Sequence, residues 1–362
     1  MKAPAQLLVD VKKLHHNYTA LRAKLNSSTK LIAVVKANAY GNSANTLAKS
    51  LENFGADMLA VAYAQEGVAL REAGISIPIM VFYPQAENLK ELTEHQLEPV
   101  LYNLHTLHTW LEVCSEIKQE DYPVHLKFNT GLNRIGFSEK DFETLEKHSE
   151  LLNVKSIYSH LSASENPKPC RYTDKQIEQF KTIEHWGKTV FASPPMFHLL
   201  NTSGVFNYPE LQRDAVRVGI GLYGFANQAE WDKELLPISE LSSRLCQLHS
   251  VKKGESVGYN QGWIAPRDSR IGVIPIGHAD GIGRQFGKET TPVWINGKKA
   301  LIVGNVCMDL LMIDVTDISC SIGDRVILFG AEHTANDFAT AGATLSYELL
   351  CGLGPRIAVD FV

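Results

Sequence analysis

The chain has 362 residues, 44% of them hydrophobic and 21% charged, with a formal net charge of −5. That length exceeds one average domain, so two are expected, and the mild acidity argues against a nucleic-acid groove or an anionic membrane surface as partner. The start, MKAPAQLLVDVKKLHHNY, lacks the apolar core of a secretory signal, no apolar run spans a bilayer, and Cys114, Cys170, Cys246, Cys307, Cys320 and Cys351 form no CxxC pair; the expectation is a cytoplasmic protein with free thiols and neither a metal nor a disulfide framework.

In chain order, apolar runs at 31–35 (LIAVV), 58–62, 78–82, 98–102, 124–128, 154–160, up to 200 (MFHLL) and 216–224 read as strands. Runs that are apolar throughout suit a parallel sheet covered on both faces. Between them lie helical patterns such as ANTLAKSLENFG, which stops at Gly55, and DKQIEQFKTIEHWGKTV. Eight β-α units in roughly 230 residues match the size of a (β/α)8 TIM barrel, with an open doubly wound sheet as the competing arrangement. After a linker near NQAEWDKELLP the pattern changes to strands joined by turns: SSRLCQLHSV, RIGVIPIG, TPVWINGKKALIVG, LLMIDVT and DRVILFG. Asn296-Gly297 between two of them is a hairpin signal, since both positions tolerate positive φ. TLSYELLCGLGPRIAVDFV reads as a short helix and a last strand. The division expected is an α/β barrel over 1–233 and a C-terminal, mostly β domain over 234–362.

Lys36 stands where the first barrel strand ends, the face on which barrel active sites lie. An amine in an apolar setting has a depressed pKa suited to Schiff-base chemistry, although a lysine snorkelling to water is the simpler reading. HLLNTSG and VRVGIGLYG finish the last two barrel strands in small or hydroxyl-bearing residues. Loops there commonly bind phosphate, with Thr202, Gly219 and Ile220 as donors, though ordinary turns look the same. A strand-one lysine with a phosphate cradle at strands seven and eight suggests pyridoxal phosphate.

VVKANAYG, NTGLNRIGF, RVGIGLYG, VGYNQGW, PIGHADG and NVCMD occur in that order, and with them the chain resembles the alanine racemase family from VDVKKLHHNY to SYELLCGLGPR. The resemblance implies a barrel followed by a β domain, pyridoxal phosphate as cofactor, and interconversion of L- and D-alanine supplying D-alanine for peptidoglycan. It makes Lys36 the lysine that binds the cofactor. Tyr40, Asn201, Thr202, Gly219, Ile220 and Tyr347 become cofactor-binding residues, and Arg217 the arginine facing the pyridine nitrogen. A guanidinium gives up no proton, so that nitrogen stays unprotonated and the ring is a weaker electron sink. A strand-borne arginine is otherwise a salt-bridge partner, with Asp214 nearby.

Racemisation needs a base on each face of Cα. The resemblance makes Lys36 one base and Tyr259 the other, with the phenol tuned through His160 and Arg217; alone, His160 reads as a core histidine. The resemblance also implies that the tyrosine comes from the other subunit of a homodimer, as do Cys307, Met308 and Asp309, and that the backbone N–H at Met308 meets the substrate carboxylate. Arg134 takes the place of an arginine on cofactor and carboxylate, and Lys127 that of a lysine often carbamylated. The chain departs from the family at His278, where tyrosine is usual at the mouth of the site, and in the tail RIAVDFV. A racemase for serine, a decarboxylase of the same fold and a non-catalytic pyridoxal-phosphate-binding protein are the alternatives. Arg217 argues against the decarboxylase, and the β domain bearing Tyr259 against the non-catalytic protein.

Overall fold

The computed structural model describes residues 3–119, 121–166 and 168–362. The chain makes two compact units. Residues 14–39 and 44–236 form one; the residues up to Lys13, Tyr40–Ser43 and Pro237–Val362 form the other. Strand β1 (Ala5–Val9) therefore belongs with the C-terminal sheet, not with the 1–233 barrel domain expected from sequence. Its alternation buries Ala5, Leu7 and Val9, which is the period-2 pattern of a sheet with one covered face.

Eight parallel strands close a barrel: β2 (Lys30–Val34), β3 (Met58–Val61), β4 (Ile79–Val81), β5 (Glu98–Leu101), β6 (Pro123–Lys127), β7 (Asn153–Tyr158), β8 (Met196–His198) and β9 (Ala215–Val218). β2 pairs with β9, Leu31 opposite Val216 and Ala33 opposite Val218, so no edge remains and the open-sheet alternative is excluded. Helices cover the outside. Ala44–Phe54 buries Leu47, Ala48 and Leu51 and stops at Gly55, whose φ of +95° supplies the left-handed C′ residue. Arg171–Val190 buries Ile177, Phe180, Ile183 and Trp186 on one stripe.

The run at 216–224 is strand only as far as Val218. Gly219 breaks it, and Ile220–Tyr223 is a 3-10 turn ended by Gly224 at φ +102°. Glycine packs no side chain into a ladder, and here it hands the chain to a loop. β7 likewise stops at Tyr158, two residues before His160. The linker near 227–237 holds one helical turn, Ala229–Asp232.

The second unit continues with β10 (Ser239–Arg244), β11 (Gln247–Val251), β12 (Ser256–Val257), β13 (Trp263–Ile264), β14 (Ser269–Ile274), β15 (Pro292–Ile295), β16 (Lys298–Val303), β17 (Leu311–Asp314), β18 (Arg325–Phe329) and β19 (Ala358–Phe361). SSRLCQLHSV is thus two strands with a break at Leu245-Cys246. One nine-stranded sheet runs β11-β14-β17-β16-β15-β18-β10-β1-β19, and β12 pairs with β13 apart from it. Asn296 and Gly297 take φ +50° and +74° at the β15–β16 hairpin, as their sequence indicates.

Two glycines separate backbone cost from crowding. Gly41 has φ +80°, and a Cβ there would collide with the carbonyl oxygen of Leu350, whereas Gly297 has φ +74° and open space. Gly41→Ala is expected to lose at least about 2 kcal/mol and Gly297→Ala about 1 kcal/mol, an order that urea unfolding midpoints check.

Candidate active site

β2 delivers Lys36 to the C-terminal end of the barrel, and the residues after it are unusual. Ala37, Asn38, Ala39 and Tyr40 all have φ between 51° and 53°, one turn of left-handed helix, and Gly41 follows at φ +80°. Non-glycine residues pay about 1–2 kcal/mol each for that conformation, so it persists only where the surroundings fix it. They do. The Ala37 N–H donates to Glu66 Oε1 at 2.6 Å, Ala44 N–H to Asn38 Oδ1 at 2.8 Å, and Ala39 N–H to the Val35 carbonyl at 2.8 Å. Glu66 uses its other oxygen on the N–H groups of Ala62 and Tyr63. Sequence reading passed over Glu66; its signal is a glutamate at the third position of the helix Ala64–Glu72, where a carboxylate caps free N–H groups.

Arg217, on β9, is 4% exposed and points into a ring of acceptors. Its NH1 donates to His198 Nδ1 at 2.6 Å and its NH2 to the Ser159 carbonyl at 2.6 Å and the Leu199 carbonyl at 3.2 Å. NH2 also reaches His160 Nδ1 at 3.3 Å, and the guanidinium lies 4.7 Å from the centre of the Tyr158 ring. Asp214 is not its partner: that carboxylate accepts from the Phe197 N–H. Burial drives the Arg217 pKa down to about 10 and holds both His160 and His198 well below the ordinary imidazole value, with the Arg217 charge adding to it. Both imidazoles are therefore neutral at pH 7. Because a guanidinium only donates, the nitrogen facing it carries no proton, so His160 keeps its proton on Nε2.

Lys127, the last residue of β6, is also buried; its Nζ lies 5.1 Å from the Tyr158 ring centre. Desolvation, then Arg217 and Arg134, lower its pKa to about 7. Arg134 is exposed and stacks over Tyr83 at 5.9 Å. The Tyr158 hydroxyl is buried with no hydrogen-bond partner among the described residues.

At the last two strand ends, Thr202 Oγ1 accepts from the N–H groups of Gly219 and Gly221, both at 3.2 Å, and ties the two loops together. Asn201 caps the helix Thr202–Asn207 by accepting from Gly204 N–H, and takes a second bond from Ser164. Of the expected donors, the Gly219 N–H is thus taken by Thr202, whereas the Thr202 hydroxyl only accepts in these bonds and keeps its own hydrogen to donate. The N–H groups of Ser203 and Ile220, in the first turns of their helices, have no intrahelical acceptor and are the ones placed to receive an anion.

The second unit carries the remaining residues. Tyr40 and Tyr347 lie with ring centres 6.0 Å apart. Tyr259 is 69% exposed and opens a short turn in which Asn260 and Gln261 have φ +54° and +49°. Asn305 Nδ2 holds this turn by donating to the Tyr259 carbonyl at 2.8 Å, above a core of Val257, Trp263, Ile271, Val303 and Met312. Tyr259, Cys307, Met308 and Asp309 line one open hollow of about 330 Å³. His278, exposed, gives its backbone N–H to the Cys307 carbonyl, and Ala279 gives its own to that of Met308, both at 3.0 Å. Arg356, which the sequence reading left without a role, binds Asp280 through two nitrogens (2.8 and 3.0 Å) and Asp309 through the third (2.7 Å). Asp309 is thereby held as a structural anchor for the segment bearing Met308.

His198, Ser156 and His125 were also missed. Their signal was polar residues at interior positions of apolar strands, as in VHLKF and MFHLL. The six cysteines lie outside any disulfide.

Family models match both parts of the chain, "Alanine racemase, N-terminal domain" over residues 9–227 and "Alanine racemase, C-terminal domain" over 238–361. An alanine racemase of Thermodesulfovibrio yellowstonii is 35% identical over 99% of this chain and 97% of its own length. The solved alanine racemase of Streptomyces coelicolor superposes with a TM-score of 0.94 at 28% identity, covering 99% of this chain and 98% of its own. That of Bartonella henselae, solved with covalently bound pyridoxal phosphate, superposes at 0.90 and 27% identity over all of both chains.

Lys127 gives a pH-dependent stability. Between about 7 and its ordinary 10.5 the unfolded chain holds a proton that the folded chain lacks, so this residue's destabilisation is full below pH 7 and fades as pH rises. In buffer free of carbon dioxide, Lys127→Met should therefore melt above the parent chain at pH 7, with the gap narrowing towards about pH 10; thermal melts at the two pH values check the sign.

Proposed function

The chain belongs to the alanine racemase family and interconverts L- and D-alanine, and we propose that it does so with pyridoxal phosphate on Lys36 and with bases drawn from two copies of the chain. The observation that carries this reading is the carboxylate-free setting of Arg217, a buried guanidinium whose neighbours are carbonyls and neutral imidazoles.

The residues present fit the cofactor. Lys36 stands at the barrel mouth, the loops joined by Thr202 turn backbone N–H groups toward a phosphate, and the buried Tyr158 hydroxyl has no partner among the described residues. When bound, pyridoxal phosphate supplies an electron sink conjugated to Cα, which acidifies its hydrogen. Arg217 would be the residue to hold the ring nitrogen, and since a guanidinium only donates it would leave that nitrogen unprotonated, keeping the sink weak and disfavouring transamination. Arg134 and the Met308 N–H orient the substrate carboxylate. The Lys36 amine moves the proton on one face of Cα, and the Tyr259 hydroxyl moves it on the other. A free phenol has a pKa near 10, so Tyr259 needs its anion stabilised. His160 serves this with its Nε2–H, because Arg217 occupies Nδ1. Lys127, with its amine near neutrality at pH 7, is poised to take up carbon dioxide as a carbamate and so to orient Arg134. Tyr259 and Met308 belong to the partner subunit's contribution in this reading, which accounts for a reactive tyrosine held in an exposed hollow.

The purified protein should show a visible absorption band that borohydride removes, and it should exchange the Cα proton of L-alanine in heavy water. A band that survives Lys36→Ala with activity intact overturns the assignment. Tyr259→Phe should lower kcat by about 10²–10⁴-fold, the usual range for losing a general base. Mixing inactive Lys36→Ala and Tyr259→Phe subunits should restore part of the activity, since a mixed dimer rebuilds one intact site. No recovery despite demonstrated subunit exchange refutes sharing between copies. Initial rates on alanine and serine compare the two substrates, and a faster serine reaction would move the specificity to the alternative.

A further inference from the structure

Five consecutive barrel strands each contribute a polar side chain to one row, and these side chains touch in sequence. Glu98 opens β5, His125 lies on β6, Ser156 on β7, His198 ends β8 and Arg217 lies on β9. Glu98 Oε2 is 2.8 Å from His125 Nε2, and His125 Nδ1 is 2.7 Å from Ser156 Oγ. Ser156 Oγ is 2.8 Å from His198 Nε2, and His198 Nδ1 is 2.6 Å from Arg217. The three middle residues are wholly buried. Glu98 keeps slight exposure and lines a cavity of about 280 Å³ with Arg71, Gln96 and Tyr122.

Both ends of this chain have fixed roles. A guanidinium only donates, and a carboxylate only accepts. With one proton on each ring, one arrangement then satisfies every link: Arg217 donates to His198 Nδ1, His198 Nε2–H to Ser156, the Ser156 hydroxyl to His125 Nδ1, and His125 Nε2–H to Glu98. Barrel interiors are ordinarily filled by branched apolar side chains, and buried polar groups are costly unless each is paired. Here each is paired, and linked hydrogen bonds polarise one another along the row. Tyr158 stacks on His198 at 4.8 Å and 6°, which fixes the plane of that ring.

We propose that Glu98, His125, Ser156 and His198 form a one-directional relay that positions Arg217, so that a carboxylate near the opposite end of the barrel strands holds the guanidinium in place. The consequence for catalysis rests on the reading above, in which Arg217 faces the cofactor nitrogen. These four are positioning residues; none of them meets substrate or cofactor.

Neutron diffraction from perdeuterated full-length protein tests the relay without reference to activity. Deuterons are expected on Nε2 of both His125 and His198 and absent from Nδ1; a deuteron on Nδ1 of either ring overturns the proposal. Kinetics test its purpose. Ser156→Ala cuts the row at its middle and should lower kcat for alanine about tenfold while leaving KM within about twofold, because the groups on the substrate carboxylate are untouched. Glu98→Gln removes the charge at the partly exposed end and should lower kcat in the same direction. If Ser156→Ala does not fold, judged by its melting curve, Glu98→Gln decides. Unchanged kcat in the folded variant overturns the proposal. A parent chain that holds the expected deuterons but does not racemise alanine would instead remove the reading of the site and leave the relay as a structural assignment.

Discussion

The constraint from which the rest follows is a positive charge sealed inside the barrel without a carboxylate beside it. Arg217 has carbonyl oxygens and imidazole nitrogens in contact, and no acidic partner within ion-pair distance among the described residues. Burying a charge is tolerable only when its hydrogen-bonding capacity is filled. Filling it with neutral groups dictates much of the surroundings. Both histidines must stay uncharged, the ends of β7 and β8 must turn their carbonyls inward, and Lys127 cannot easily hold a proton nearby. A salt bridge would have been the cheaper way to bury an arginine. The arrangement found instead leaves the guanidinium's charge uncompensated by any neighbouring acid among the described residues.

The presentation of Lys36 shows the same logic in backbone form. A left-handed turn of ordinary residues is unfavourable in isolation, so its persistence reports the bonds that hold it. Glu66 and Asn38 supply these from either side of the turn. Lys36 thus leaves a rigid strand and meets a rigid turn, with one residue of freedom between them. Precision of this kind belongs to the scaffold, which is why reactive groups at strand ends are more accurately placed than those on loops.

The barrel was legible because strands covered on both faces read as unbroken apolar runs, and Asn296-Gly297 named its own hairpin. The family was legible through motifs, those bearing Lys36 and Tyr259 among them, whose order in the chain is specific. Other features were not. β1 is a five-residue alternation, too short to say which sheet it joins, and its partners lie at the far end of the chain. Gly219 looked like strand because its neighbours are apolar, and only the backbone shows the break. His125, Ser156 and His198 are spread over more than seventy positions, so no local pattern links them. What joins them is barrel register, with His125 beside Ser156 and His198 beside Tyr158. Sequence shows which residues are out of place in an apolar strand, and the closed sheet decides which of them meet.

β1 also bears on biosynthesis. Gln6 pairs with Ser242 on one side and with Ala358 on the other, so β1 is synthesised long before either of its partners. The barrel needs nothing beyond β9, and apart from its closing seam each of its strands pairs with the next one made. Vectorial synthesis therefore lets the barrel assemble while β1 is still unpaired; β10 covers one of its edges soon after β9 is made, and the other stays open to wrong partners until residues 358–361 arrive. Its shortness limits that exposure during translation: a five-residue edge offers a stray strand few ladder positions to hold.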